Sequence, residues 1–82
     1  IQKLKNLKEL FLDRNQFQQL PPEIGQLQNL EVLYLRGNQL TTLPSTIQRL
    51  KKLKALYLFG NPISYNTRMQ IRKWLPNCQV NF

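Results

Sequence analysis

The sequence predicts an α/β repeat solenoid, and two observations support this prediction. A frame of apolar residues and one asparagine returns three times at a spacing of 23 residues. Between these frames, a Leu-Pro-x-x-Ile-x-x-Leu segment occurs twice, with the apolar spacing of a short helix. We therefore expect the 82 residues to form one small domain in which each repeat packs against its neighbours.

The repeated frame predicts the strands. In its middle copy it reads L-x-x-L-x-L-x-x-N-x-L, from Leu30 to Leu40, and the other copies hold the same residue classes. The first strand is expected over about Leu7–Leu12. Because alternate strand residues point to opposite faces, Leu10 and Leu12 should face the core. The framed residues are Leu7, Leu10, Leu12, Asn15, Phe17; Leu30, Leu33, Leu35, Asn38, Leu40; and Leu53, Leu56, Leu58, Asn61, Ile63.

The asparagines of the frame, Asn15, Asn38 and Asn61, are predicted to be structural. A side-chain amide both donates and accepts, so it can satisfy backbone groups of its own coil and of a neighbouring coil. Repetition at the same position predicts an asparagine ladder.

The segments Leu20–Leu27 and Leu43–Leu50 each predict one or two turns of α or 3₁₀ helix on the convex side. Proline suits the first position of a short helix because its φ is already helical. The isoleucines Ile24 and Ile47 should lie in the core.

The pattern changes after Ile63. Residues 64–75 predict a longer helix, with Thr67 and Gln70 as a capping box and Ser64 or Asn66 as alternative N-caps. Residues 79–82 predict a final short strand. Leu75, Cys78 and Val80 repeat the spacing of Leu53, Leu56 and Leu58, so Cys78 is expected to replace a core leucine.

The predicted organisation is a single domain. Residues 1–6 match the end of a repeat, residues 7–63 hold three repeats, and residues 64–82 form a C-terminal cap. Since the chain begins with Ile1 in the middle of a repeat, we expect it to be a piece of a longer protein.

These motifs resemble the 23-residue class of leucine-rich repeat proteins, and the closing stretch Ile71–Val80 resembles the C-terminal cap of bacterial members. The resemblance implies a curved solenoid with a parallel β-sheet on the concave side and protein–protein recognition by that side. It implies no catalytic residues, and the N-terminal capping segment of the family is absent from the sequence.

The outward strand positions predict a binding surface on the concave side. One position stacks Phe11, Tyr34 and Tyr57, with Phe59 beside them. Neighbouring strands are about 4.8 Å apart, so these rings should be in contact. They could form an anchor for a partner, with Arg36, Glu9 and Asp13 setting its polarity, or they could only support the sheet.

The positive charge predicts an alternative site. Lys and Arg number 12 against 4 Asp and Glu, which points to anionic polymers or surfaces. These cations are expected mainly on the convex side, as a basic ridge or as an ordinary solvated face. Their separation from the aromatic residues disfavours nucleic acid. The basic ridge comprises Arg49, Lys51, Lys52, Lys54, Arg68, Arg72 and Lys73.

Several chemistries have no support in the sequence. There is no His and one Cys, so neither a Cys/His metal cluster nor an intrachain disulfide is predicted. No apolar run is long enough for a membrane span. The glycines are isolated, and the acids Glu9 and Asp13 flank no evident cleft. We expect no enzyme and no cofactor. The compartment stays open, since secretion or surface display would depend on a signal outside this sequence.

The sequence thus predicts a non-enzymatic module that binds another protein through its concave face. The alternatives are an electrostatic binder using the basic ridge, and a purely structural piece that extends and caps a longer solenoid. If the chain begins at Ile1, its first strand is an open edge, and we expect self-association there.

Overall fold

A computed structural model describes residues 6–82, and it confirms the predicted α/β solenoid with a parallel sheet. The predicted remnant, residues 1–6, lies outside the described residues except for Asn6. Four parallel strands follow one another in chain order across the sheet. They are β1 (Glu9–Phe11), β2 (Val32–Tyr34), β3 (Ala55–Tyr57) and β4 (Gln79–Asn81).

The strand register follows the 23-residue spacing. Leu10 pairs with Leu33, and Leu33 pairs with Leu56, so the same frame position forms one continuous layer. Leu33 and Leu56 are fully buried, whereas Leu10, on the end strand of the described sheet, is only partly buried. The residues on either side of this layer point away from the core and form the concave face.

Two 3₁₀ helices, Pro22–Gln26 and Ser45–Arg49, form the opposite side of the coils. Each buries its isoleucine, Ile24 or Ile47, against the leucines of the core. The helices pack so closely that a Cβ on Gly25 would lie 2.6 Å from the carbonyl oxygen of Thr46. Glycine at this position therefore sets how closely the first two coils approach.

The asparagine Asn38 joins two coils. Its side-chain nitrogen donates to the carbonyls of Leu12 and Leu35, at 3.0 and 2.9 Å. Its side-chain oxygen accepts from the backbone N–H groups of Asn15 and Phe17, at 2.9 and 3.1 Å. This buried amide thus satisfies backbone groups that the turn would otherwise leave unpaired.

The other two asparagines differ from each other. Asn61 repeats the arrangement, since its nitrogen donates to Leu35 and Leu58 and its oxygen accepts from Leu40. Asn15 is exposed, and its side chain donates to the carbonyl of Asp13 within its own turn. Within residues 6–82, Asn38 and Asn61 therefore bridge coils.

The cap contains one helix, α1 (Tyr65–Trp74). Its N-cap is Ser64, whose hydroxyl accepts from the backbone N–H of Thr67 at 3.3 Å. The expected capping box of Thr67 with Gln70 is wrong, because Thr67 lies within the first turn and the alternative Ser64 takes the cap. Ile71 is fully buried and fixes the helix on the core.

The register of the cap differs from the sequence prediction. Val80 pairs with Leu56 rather than aligning with Leu58, so β4 is displaced by two residues from the expected frame. The longer path through α1 makes the spacing from Leu56 to Val80 one residue greater than the repeat. The face of each residue is unchanged, because a shift of two preserves the alternation.

Consequently Cys78 lies just before β4 and does not occupy the leucine position of the strand. Its side chain is half-buried and packs against the edge of the core. This burial raises the pKa of the thiol to about 11.

Candidate functional site on the concave face

Three aromatic rings form a continuous column across the concave face. The ring centroids of Phe11 and Tyr34 are 4.5 Å apart, and those of Tyr34 and Tyr57 are 5.0 Å apart. The ring planes are nearly parallel, at 8° and 9°. The parallel register places these residues directly opposite one another on adjacent strands. The column is therefore a direct result of the repeat spacing.

The stacking decides which parts of the rings a ligand can reach. Tyr34 has a neighbouring ring on each side, so both of its faces are covered. Since the rings stack along the direction from strand to strand, their edges face the solvent. A partner that approaches the column from the concave side therefore meets ring edges and tyrosine hydroxyls.

Asp13 and Arg36 hold the ends of β1 and β2 together beside this column. The Asp13 carboxylate accepts from the Arg36 backbone N–H at 2.6 Å and from its guanidinium Nη2 at 2.8 Å. The guanidinium Nε donates to the same carboxylate at 3.1 Å. The hydrogen bonds from Arg36 lower the pKa of the Asp13 carboxyl below its ordinary value of 3.8.

The guanidinium of Arg36 lies beside the column and not between its rings. Its central carbon is 5.6 Å from the centroids of both Tyr34 and Tyr57. A group above one ring face would be unequally distant from two stacked rings, so equal distances place it near their edges. Arg36 therefore flanks the tyrosines while Asp13 neutralises its charge.

The remaining predicted residues lie around the column. Phe11 and Phe59 are 65% and 67% exposed, which is unusual for large apolar side chains. Phe59 follows β3 and extends the apolar surface beyond Tyr57. Glu9 pairs with Val32 at the start of the sheet and is exposed. The structure therefore places all of the predicted concave residues on one face, with Glu9 farthest from Phe59 across the strands.

A groove next to the column includes Arg14, an outward-facing residue that was not among the predicted binding residues. The three corresponding positions of the repeats hold Arg14, Gly37 and Gly60, and all three have positive φ, at 58°, 68° and 85°. The sequence feature that could have indicated this residue is the arginine at a position where the other two repeats hold glycine. The groove is lined by Asp13, Arg14, Arg36, Gly37, Phe59 and Gly60.

The cations of the predicted basic ridge occupy two places. Those at residues 49–54 are partly engaged, since Lys52 donates to the Asn29 side chain at 2.8 Å and Lys54 pairs with Glu31 at 3.3 Å. Arg49 and Lys51 are exposed nearby.

The cations of the cap lie on α1. Arg68 and Arg72 approach the ring of Phe82, at 5.3 and 4.9 Å from its centroid, and Arg68 also donates to the Ile63 carbonyl. Lys73 is exposed at the end of this helix. The ridge is thus divided between a repeat part and a cap part.

Two other kinds of site are missing from residues 6–82. No group of three or more His, Cys, Asp or Glu side chains there could hold a metal ion. In the same range, no helix has the length and apolar character needed to cross a membrane.

Comparison with known proteins agrees with this architecture. The family model described as "Leucine rich repeat" matches residues 5–63. The structure of the leucine-rich repeat protein LIC12759 of Leptospira interrogans superposes with a TM-score of 0.95 and 51% sequence identity. The match covers 98% of this chain and 20% of that chain, so the present chain spans about one fifth of its length. No curated protein sequence gives a significant match. The chain belongs to the leucine-rich repeat family.

Proposed function

We propose that this chain is a non-enzymatic interaction module that binds another protein through its concave face. The anchors are the aromatic column of Phe11, Tyr34 and Tyr57, extended by Phe59. Arg36, Asp13 and Glu9 set the polarity of the surface. Membership of the leucine-rich repeat family supports protein binding in general.

The observation that carries the proposal is the ordered column of rings, in which Phe11 is 65% exposed and Tyr34 and Tyr57 are partly exposed. Tyrosine is enriched at the centres of protein interfaces because it offers large rigid area and a hydroxyl. The rings are already stacked, and Arg36 already flanks them while paired to Asp13. Binding would therefore cost little side-chain entropy, which favours recognition by a preformed surface.

The same geometry argues against ligands that need open ring faces. A nucleobase stacks on an aromatic face, but both faces of Tyr34 are covered, and only the end rings, Phe11 and Tyr57, have a face that no other ring of the column covers. Catalysis also lacks support, because Asp13 is committed to Arg36 and Glu9 lies apart from it on the sheet. These observations leave the edges of the column as the surface that a partner protein would contact.

The test is affinity capture with the native chain and with a Tyr34→Ala/Tyr57→Ala double variant that circular dichroism shows to be folded. Partners are identified by mass spectrometry, purified, and then measured by calorimetry. We expect native binding to persist in high salt and to fall at least about 100-fold in the double variant, as for loss of central anchors. Equal affinity of both proteins would refute the proposal.

A matched control is Tyr65→Ala. Tyr65 is 72% exposed, more than the partly buried Tyr34 and Tyr57, and it lies on α1 and not on the sheet. This variant should bind as tightly as the native chain. An equal loss in Tyr65→Ala would show that the effect of removing tyrosines is not specific to the concave face.

The basic ridge supports a second candidate function, binding to anionic polymers or surfaces. Its exposed members include Arg49, Lys51 and Lys73, and the net charge of the chain is +8. Such contacts weaken strongly with salt, because exposed charges are screened. Partners that both the native chain and the double variant retain, but that salt releases, would assign function to the ridge. Absence of any partner would favour a purely structural role in a longer solenoid.

A further inference from the structure

Arg14 adopts a backbone conformation that is normally left to glycine. Its φ is +58°, and the corresponding residues of the next two repeats, Gly37 and Gly60, have φ of +68° and +85°. The left-handed region is unfavourable for an L-residue with a side chain. Gln16 in the same turn also has a positive φ, +60°, so the conformation by itself does not set Arg14 apart. What distinguishes Arg14 is the charge of its side chain and the groove that it lines.

The guanidinium of Arg14 makes no hydrogen bond and no ion pair among residues 6–82, although it lies close enough to Asp13 to add to the effect of Arg36 in lowering the pKa of that carboxyl. It takes part in neither of the ion pairs there and in none of the side-chain hydrogen bonds, although its backbone N–H donates to the Arg36 carbonyl. The carboxylate nearest in sequence, Asp13, already accepts from Arg36 with both oxygens. One negative charge, on Asp13, thus faces the two positive charges of Arg14 and Arg36, so this edge of the concave face stays net positive.

The surroundings of Arg14 form a groove with distinct walls. Gly37 and Gly60 make its floor, and each lies against the preceding coil, since a Cβ on Gly37 would be 3.2 Å from Cγ of Arg14. Phe59 lines the same groove and is 67% exposed. A cation and an aromatic side chain thus border a floor of backbone without side chains.

We propose that this groove binds an acidic side chain of the partner protein through Arg14, with an adjacent apolar side chain of the partner packed on Phe59. Charge complementarity favours an acidic ligand, because the groove is net positive and the whole chain carries a net charge of +8. A guanidinium can also donate two parallel hydrogen bonds to a carboxylate. The proposal rests on the proposed function, because the ligand is part of the bound protein.

The test uses three small probes and nitrogen-15 NMR of the chain. The glutamic probe is N-acetyl-leucyl-glutamate with an amidated C-terminus, so that only its side-chain carboxylate is charged. The glutamine probe is the same compound with glutamine in place of glutamate. The third probe is N-acetyl-leucine, which has only a terminal carboxylate. Each is titrated to millimolar concentrations at low salt. The proteins are the native chain, Arg14→Gln, Arg14→Lys, Phe59→Ala, and Lys8→Gln as a control that removes an exposed cation outside the groove and the basic ridge.

The glutamic probe should shift the amide signals of Arg14, Gly37 and Gly60, and bind about 5-fold more tightly than the glutamine probe. Arg14→Gln should abolish this difference, Arg14→Lys should keep part of it, and Lys8→Gln should leave it unchanged. Phe59→Ala should weaken the glutamic and glutamine probes alike.

Three results would overturn the proposal: absence of shifts in the groove, equal binding of the two amide probes, or a preference that survives Arg14→Gln. If N-acetyl-leucine bound more tightly than the glutamic probe, the proposal would also be wrong, because the groove would then prefer a C-terminal carboxylate to an acidic side chain. None of these outcomes depends on Tyr34 or Tyr57, whose variants test the proposed function separately. The proposal for the groove can therefore be wrong while the proposed binding by the aromatic column is right, and the experiments distinguish the two cases.

Discussion

The carboxylate of Asp13 binds both the backbone and the side chain of Arg36, so a single acidic residue joins the ends of two coils. The pKa of Asp13 is lowered from 3.8 in the folded chain, chiefly by the side-chain hydrogen bond from Arg36. A lowered folded-state pKa means that the pair stabilises the fold above about pH 4 and loses this effect as the pH falls through the folded value.

We therefore expect Asp13→Asn to be less stable than the native chain at about pH 6, with the difference shrinking toward about pH 2.5. Urea unfolding at both pH values measures the two free energies of unfolding. Asparagine keeps an oxygen that can accept from the Arg36 backbone N–H, so the comparison isolates the charge. A difference that is the same at both pH values would contradict this prediction.

Arg14→Gly should stabilise the fold even though it removes a side chain from the proposed groove. Relief of the left-handed conformation should raise the free energy of unfolding by about 0.5–1 kcal/mol. The reverse change at the third repeat, Gly60→Ala, should lower it by at least about 1 kcal/mol, because the new Cβ would also lie 3.2 Å from the Gly37 nitrogen. Urea unfolding of the two variants tests both signs, and destabilisation by Arg14→Gly would show that its side chain supports the fold.

Asn38→Ala should be far more damaging than Asn15→Ala. Removing the buried Asn38 amide leaves the carbonyls of Leu12 and Leu35 and two backbone N–H groups without these bonds. We expect a loss of about 2–4 kcal/mol for Asn38→Ala and less than about 1 kcal/mol for the exposed Asn15. Urea midpoints measure the contrast; similar losses would show that the side chain of Asn15 also bridges coils.

The position of a ring within the column should decide its contribution to stability. Tyr34 stacks on two rings and Phe11 on one. Tyr34→Leu should therefore cost about 1–2 kcal/mol, and Phe11→Leu about half as much. Phe59→Leu serves as a control, since Phe59 takes part in neither stacked pair of the described chain. Thermal unfolding of the three variants gives the ranking, and an equal cost for all three would exclude a structural role of the stacking.

Cys78 should react slowly in the folded chain. Burial raises its pKa to about 11, so only a small fraction of the thiol is ionised at pH 8. We expect alkylation by iodoacetamide at pH 8 to be at least about 10-fold slower than in the urea-unfolded chain, with the rate still rising above pH 9. Mass spectrometry over time gives both rates, and equal rates would place the thiol in solvent.

The repeats were predictable because one spacing controls several levels of structure. The 23-residue frame led to the parallel strands, to the buried leucines such as Leu33 and Leu56, and to the alignment of Phe11, Tyr34 and Tyr57. In each case a local periodicity and the packing of neighbouring coils require the same arrangement.

The cap register, the groove and the pair of Asp13 and Arg36 could not be predicted, because they depend on the length of the cap segment and on side-chain contacts that the repeated frame does not specify. The position of Val80 depends on how many residues α1 uses to cross the end of the coils, so the same spacing could not be assumed for Cys78. The groove at Arg14 was missed because a positive φ and a missing ion-pair partner are properties of the folded chain. The pairing of Asp13 with Arg36 likewise depends on the rotamers of both side chains, which the sequence does not determine.

The spacing of the aromatic column also restricts the shape of what can lie along it. Successive centroids are 4.5 and 5.0 Å apart. Side chains on one face of an extended strand repeat every 6.6–6.8 Å or so, which is longer than the spacing of the rings, so only one side chain of such a strand can lie opposite a ring before the two spacings diverge. A helix rises about 1.5 Å per residue, so residues three or four apart advance roughly 4.5–6 Å. An α-helix parallel to the solenoid axis can therefore place one side chain opposite each coil, whereas a strand in that direction cannot.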